Sequence, residues 1–220
     1  MRESMQPGFR EQATLRIREH WLLKGLGTSI GITAFMVVYF TLLRHPQFPV
    51  MLVPLTAVDR LIGFEPWSLL PYASLWFYLS LVPMLLRMRE LPRYLSSVGL
   101  LALIGFGIFL FWPTAVPRPD VDWSRYPYVA FLKRVDAGGN ACPSLHVAYA
   151  VLTALWLGRL LQALAAPRAL LVFNWLWCLA IAYSTLVTKQ HLVLDVLAGA
   201  VLGTAVTLPP LLGWRAADRE

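Results

Sequence analysis

The sequence predicts an all-α, polytopic membrane protein with six transmembrane helices in one bundle. Three observations carry that reading. The 220 residues are 58% hydrophobic and only 14% charged, with a mean hydropathy of +0.60, whereas soluble domains carry about a quarter charged residues. Apolar runs of about 18 residues or more recur along the chain, long enough to cross a hydrocarbon core. The charged residues fall between these runs and seldom within them.

Residues 1–25 read as a charged amphipathic lead-in, with Leu15, Ile17, Trp21 and Leu22 set among Arg10, Arg16, Arg18 and Lys24. It is expected to lie at the membrane surface. Its first twenty residues lack the apolar core of a cleavable leader, so the first span is expected to act as the targeting signal. The membrane domain is expected over 26–213, with a short cytoplasmic tail at 214–220.

Span one is expected over 26–43. The stretch after it, "RHPQFPVMLVPLTAVDRLIGFEPW", is broken by Pro49, Pro54 and Asp59. It is too interrupted for a crossing and reads as an interfacial or re-entrant segment. Span two is expected over 67–86 and span three over 94–112. A connection rich in Pro, Asp and Gly fills 113–142, with Gly138-Gly139 allowing a turn. Span four opens at Pro143 and ends near 164, span five covers 169–187, and span six covers 191–212. Gly199 and Gly203, four apart in span six, predict close helix packing. Trp67, Trp112, Trp123 and Tyr126–Tyr128 read as interfacial anchors.

Orientation follows from the basic residues. The flanks on the side of the termini hold twelve Lys and Arg, against seven on the other side. The positive-inside rule then puts both termini in the cytoplasm and the start of span four on the outer face. The net charge of +7 is dispersed among these flanks, not gathered into a stripe, which argues against nucleic-acid binding. Two cysteines are too few for a disulfide framework, and Cys142 and Cys178 lie in settings that make their pairing improbable.

The chemistry-bearing residues gather on the outer face. Asp195 sits in "HLVLDVLAGAVLG", where an unpaired carboxylate is costly and marks a site. His191, four residues earlier, is expected on the same helical face. The carboxylate can hold one imidazole nitrogen protonated and leave the other free to attack. The plain alternative is a stabilising His–Asp pair without chemistry.

"NACPSLHVAYA" puts Ser144 and His146 in the first turn of span four, with Pro143 at the first helical position and Asn140 or Cys142 near the cap. Such an N-terminus attracts anions, Ser144 adds a hydroxyl, and His146 suits a general acid. Arg118 offers a planar fork for phosphate. Together these are the parts of a phosphoryl-transfer site.

These motifs resemble the signatures of the type 2 phosphatidic acid phosphatase superfamily, membrane lipid phosphatases and head-group transferases. "FWPTAVPRP" is similar to the first, "PSLH" to the second, and "STLVTKQHLVLD", from Ser184 to Asp195, to the third. The resemblance covers about 111–203. It implies that His191 forms a phosphohistidine, Asp195 orients it and His146 protonates the leaving group. Arg118, Ser144, Leu145, Ser184 and Lys189 are then the substrate-binding candidates.

Three positions depart from the pattern. Phe111 stands in place of the first signature's Lys, and Thr185 in place of the third's Arg. Leu145 replaces Gly, as in the branch that resembles inositol-phosphorylceramide synthases. Lys189, Lys133 or Arg134 are candidates to restore the missing charge.

The expected activity is hydrolysis of a lipid phosphate or pyrophosphate at the outer leaflet of the bilayer, in a bacterial inner membrane. The alternative is head-group transfer to an alcohol. Neither metal nor organic cofactor is expected, since cationic groups and backbone dipoles can neutralise the charge. Three competing readings are an intramembrane serine protease using Ser144 and His191, a zinc site of His146, His191 and Asp195, and a carrier without catalysis.

Overall fold

The computed structural model describes residues 8–127 and 140–214. Among these, six helices are long and apolar enough to cross a membrane: Trp21–Arg44, Pro66–Leu85, Leu91–Phe111, Leu145–Ala163, Arg168–Val187 and Val193–Leu212. They are spans one to six. Each falls where the hydropathy pattern puts it, and the chain is an all-α polytopic bundle. Trp21 and Lys24, expected in the lead-in, belong to the helix of span one. Lys133, Arg134 and the Gly138-Gly139 pair lie outside the described residues, as does the tail beyond Trp214.

Span four is the hub. Trp156, Leu152, Leu160 and Ala150 are wholly buried, and the span packs against spans two, three, five and six. Its closest partner is span six. A Cβ at Gly199 would collide with the Ser144 carbonyl, and one at Gly203 with the Ala148 carbonyl. Two glycines one turn apart thus let the backbones touch, as lipid-embedded helices require when packing replaces the hydrophobic effect. Polar contacts add cohesion. The Tyr78 hydroxyl donates to Asn174 Oδ1 at 2.6 Å, and Asn174 Nδ2 donates to the Ala154 carbonyl at 2.9 Å, joining spans two, five and four.

Span two is broken. A 3₁₀ turn at Pro66–Ser68 leads into Leu69–Ala73, and after Ser74 the helix resumes over Leu75–Leu85. Span one is the loosest member, touching spans two and three while Ile30 and Val37 stay exposed on the outside of the bundle.

At one end of the bundle, the lead-in forms the helix Phe9–Arg18. Arg16 and Glu90 make a buried ion pair at 3.0 Å, and Lys24 donates to the Arg16 carbonyl at 2.8 Å. The lead-in is therefore fastened to the loop between spans two and three. At the other end, the interrupted stretch after span one builds an ordered cap. Met51–Leu52 pairs in parallel with Thr114–Ala115, and Thr114 bridges to Asn140. The short helix Ala57–Leu61 opens with a capping box of Thr56 and Asp59, which satisfies its first N–H groups.

Candidate active site

The site lies at the capped end, where spans four and six begin. His191 does not open span six as expected. The helix starts at Val193 with Leu192 as its N-cap, and His191 sits in the preceding turn, where its N–H donates to the Thr185 carbonyl at 3.0 Å. The i to i+4 spacing therefore works through cap geometry, not through a shared helical face. Asp195, third in the helix, folds its carboxylate back so that Oδ2 accepts the Leu192 N–H at 2.9 Å. The same oxygen accepts from His191 Nδ1 at 3.1 Å.

A carboxylate in its ionised form only accepts, so this contact suits the imidazole tautomer with its hydrogen on Nδ1. Asp195 is wholly buried and its Oδ1 has no hydrogen-bond partner among the described residues. The helix N-terminus is the favourable end for such a charge.

The helix of span four begins at Leu145, two residues later than expected. Ser144 is the N-cap, with Oγ accepting the Val147 N–H at 3.3 Å, and Pro143 precedes the helix after a cis Cys142–Pro143 peptide. The Ser144 N–H donates to the Asp195 carbonyl at 2.9 Å, so the two helix N-termini are stitched together at the residues that carry the site. The N–H groups of Leu145 and His146 have no acceptor among the described residues.

His146 is held from the other side. Its Nε2 lies 2.9 Å from the Tyr72 carbonyl, and its ring stacks on the Tyr72 ring at 4.1 Å between centroids. A carbonyl cannot donate, so Nε2 bears the hydrogen and Nδ1 is the nitrogen left for exchange. Tyr72 lies just before the break at Ser74.

His146 and His191, 45 places apart in the chain, line one cavity of about 120 Å³ together with Tyr39, Tyr72, Asn140 and Leu145. Asn140 is buried; its Nδ2 donates to the Tyr39 carbonyl at 3.1 Å, and its Oδ1 is unpartnered among the described residues. Leu145 packs into the notch left by Gly105 of span three, so the residue that replaces glycine in the second motif is accommodated by a glycine elsewhere.

The remaining candidates are placed differently. Arg118 is exposed, does not line the histidine cavity, and makes no hydrogen bond to a described residue. Lys189, in a left-handed conformation with φ 58°, donates its Nζ proton to the Ile62 carbonyl. Burial lowers its pKa, partly offset by the Asp59 charge. The Ser184 hydroxyl bonds back to the Ile181 carbonyl at 2.6 Å. Thr185 is buried and its carbonyl accepts the His191 N–H, and Phe111 is exposed.

Two residues of consequence were not legible as such. Asp59 stands out in sequence only as a charge that breaks an apolar stretch, although Thr56-x-x-Asp59 is a readable capping pattern. Tyr72 acts through a backbone carbonyl, which no side-chain motif reveals.

The model that describes the PAP2 superfamily matches residues 90–216. The chain belongs to that superfamily. No curated protein and no solved structure matches the chain. Superfamily members are phosphoric ester hydrolases, so the family is of phosphatase type. Among the described residues, no three His, Cys, Asp or Glu side chains are arranged to hold a metal ion, so the zinc reading has no ligand set. Ser144 is wholly buried and makes no bond to His191, which leaves the serine-protease reading without its dyad.

Proposed function

We propose that this PAP2 protein is an integral membrane lipid phosphatase that hydrolyses a lipid phosphate or pyrophosphate through a phosphohistidine on His191. The observation that carries the proposal is the 3.1 Å contact between His191 Nδ1 and the Asp195 carboxylate, beside a cavity that His191 shares with His146. His191 Nε2 attacks phosphorus, and the bond from phosphorus to the leaving oxygen breaks. That oxygen takes a proton from Nδ1 of the His146 imidazolium. Water then attacks the phosphohistidine, gives its proton to His146 Nδ1, and phosphate leaves with His191 Nε2 restored. The free N–H groups of Leu145 and His146, with the exposed Arg118, supply donors to the phosphoryl oxygens. The excess of basic residues on the terminal flanks supports a site facing the outer leaflet.

Head-group transfer is the second reading. It is favoured by Leu145 in the second motif, as in the branch resembling inositol-phosphorylceramide synthases, and by the aromatic lining of the cavity, which disfavours bulk water.

A substrate panel tests both. Purified protein is offered phosphatidate, phosphatidylglycerophosphate, a polyprenyl pyrophosphate, and an intact phospholipid with alcohol acceptors. Release of inorganic phosphate is the expected result. A new lipid without phosphate release establishes transfer, and no turnover of any member overturns the proposal.

A further inference from the structure

A second space lies against the first. A groove of about 410 Å³ runs along span one, between it and spans two and three, within the range of about 300–1,000 Å³ typical of ligand pockets. Phe35, Trp76 and Tyr149 line both it and the histidine cavity, so the two spaces share a wall of aromatic side chains. Phe35 meets Tyr149 edge-on at 5.3 Å.

The groove exists because span one presents Gly27, Thr28 and Gly31 to its neighbours. Small residues four apart ordinarily draw helices together, as Gly199 and Gly203 do against span four. Here they do not. A Cβ added at Gly27 or Gly31 would meet nothing within 4 Å. Space is left open where the sequence would have permitted contact, and an apolar slot in a bilayer fills with hydrocarbon.

The far end lies at Leu23 and Lys24. The Lys24 side chain lines the groove, and its ammonium is turned away to the carbonyls of Arg16 at 2.8 Å and Met84 at 3.5 Å. From Phe35 to Leu23 is twelve residues, or about 18 Å at the helical rise per residue. That is a little over half of the roughly 30 Å hydrocarbon core, the depth of one leaflet's chains.

We infer that this groove holds the hydrocarbon chain of the phosphate ester whose head group occupies the histidine cavity, and that it measures the chain against Lys24. The inference rests on the phosphatase reading for the identity of the head group. The substrate class is a lipid phosphate with an unbranched or isoprenoid chain long enough to run from Phe35 toward Lys24, entering sideways from the bilayer past span one.

The test uses a homologous series of n-alkyl phosphates with the full-length protein in detergent, comparing kcat/KM as the chain lengthens. In the wild type, kcat/KM rises with each added methylene and levels off when the chain reaches about 18 Å. Gly31→Phe, four residues below Phe35, brings the plateau forward to about 6 Å, and Gly27→Phe, eight below, to about 12 Å. The two blocked forms lose about tenfold or more in preference for long over short chains. A general loss of folding would instead lower every chain length alike. A profile that is flat in the wild type, or unchanged in both variants, overturns the inference.

A binding readout separates this from failure of the catalytic reading. An alkyl phosphate with a photoactivatable group at its chain end is crosslinked to His191→Ala protein, where no turnover occurs. Labelling of the peptide bearing Gly27 and Gly31, competed by alkyl phosphate and not by headless alkane, upholds the groove even if no phosphate ester is cleaved. Labelling elsewhere, or equal competition by alkane, means that bulk lipid fills the space and overturns the inference.

Discussion

Asp59 Oδ1 accepts the Val193 N–H at 2.8 Å across 134 positions of chain. Its other oxygen accepts the Thr56 N–H at 2.8 Å and the Thr56 hydroxyl at 2.6 Å. One carboxylate thus caps its own short helix and also the first turn of span six, two residues after His191. The segment that breaks the apolar pattern after span one is a clamp beside the turn that bears His191.

Removing that clamp should loosen His191 without touching it. Asp59→Ala is expected to lower kcat by about tenfold to a hundredfold, the scale set by small misplacements of a reacting group, with a smaller change in KM. Asp59→Asn keeps an acceptor for Val193 and should recover much of the loss. Steady-state kinetics of the two variants checks this.

The same carboxylate gives a pH signature. Burial pushes its pKa up, but the hydrogen bonds from Thr56 and Val193, with the Lys189 charge, outweigh burial and hold it below the ordinary carboxylate value. A group whose folded pKa is depressed stabilises the fold above its unfolded pKa, and that stability is lost as pH falls through the folded value. Melting temperature in detergent should therefore fall at acid pH more steeply for the wild type than for Asp59→Asn.

If His146 protonates the leaving oxygen, its removal matters only when the leaving group needs a proton. His146→Ala is expected to lower kcat for an alkyl phosphate by about 10² to 10⁴. For an aryl phosphate whose phenolate leaves unaided, the loss should be far smaller in the first step. Rates for the two substrate types, read as single turnovers, measure the difference.

Helix contact at span six predicts a stability defect. Gly199→Ala and Gly203→Ala drive a methyl into carbonyls of span four, an overpacking of about 1–3 kcal/mol each. Gly107→Ala, where a Cβ meets nothing within 4 Å, should be near neutral. Unfolding in a denaturing detergent series compares the three.

Most of the architecture was legible because it rests on one strong signal. A hydrocarbon solvent demands runs of apolar residues, and all six runs were visible. The candidate site was legible where side chains form it: His146, His191 and Asp195 stand out as polar groups at the mouths of apolar helices, and the structure gathers the two histidines at one cavity. What the letters hid was backbone work. That His191 precedes its helix, that Ser144 and not a neighbour is the cap, and that Tyr72 fixes His146 through a carbonyl are facts of local geometry, written in no motif. The cap of parallel strands at Met51–Leu52 and Thr114–Ala115 was hidden for a related reason, since two-residue pairings leave no periodicity. Nor did the sequence show where cations would fall. Lys189, expected near phosphate, donates to the Ile62 carbonyl, and Arg118 is exposed outside the cavity lining.

The most direct test of the central claim is a trapping experiment with a lipid phosphate labelled in its phosphorus. Rapid quenching of the working enzyme should leave acid-labile, base-stable phosphate on His191, diminished in Asp195→Asn and absent from His191→Gln. Label on any other residue, or undiminished phosphate release by His191→Gln, would contradict the account.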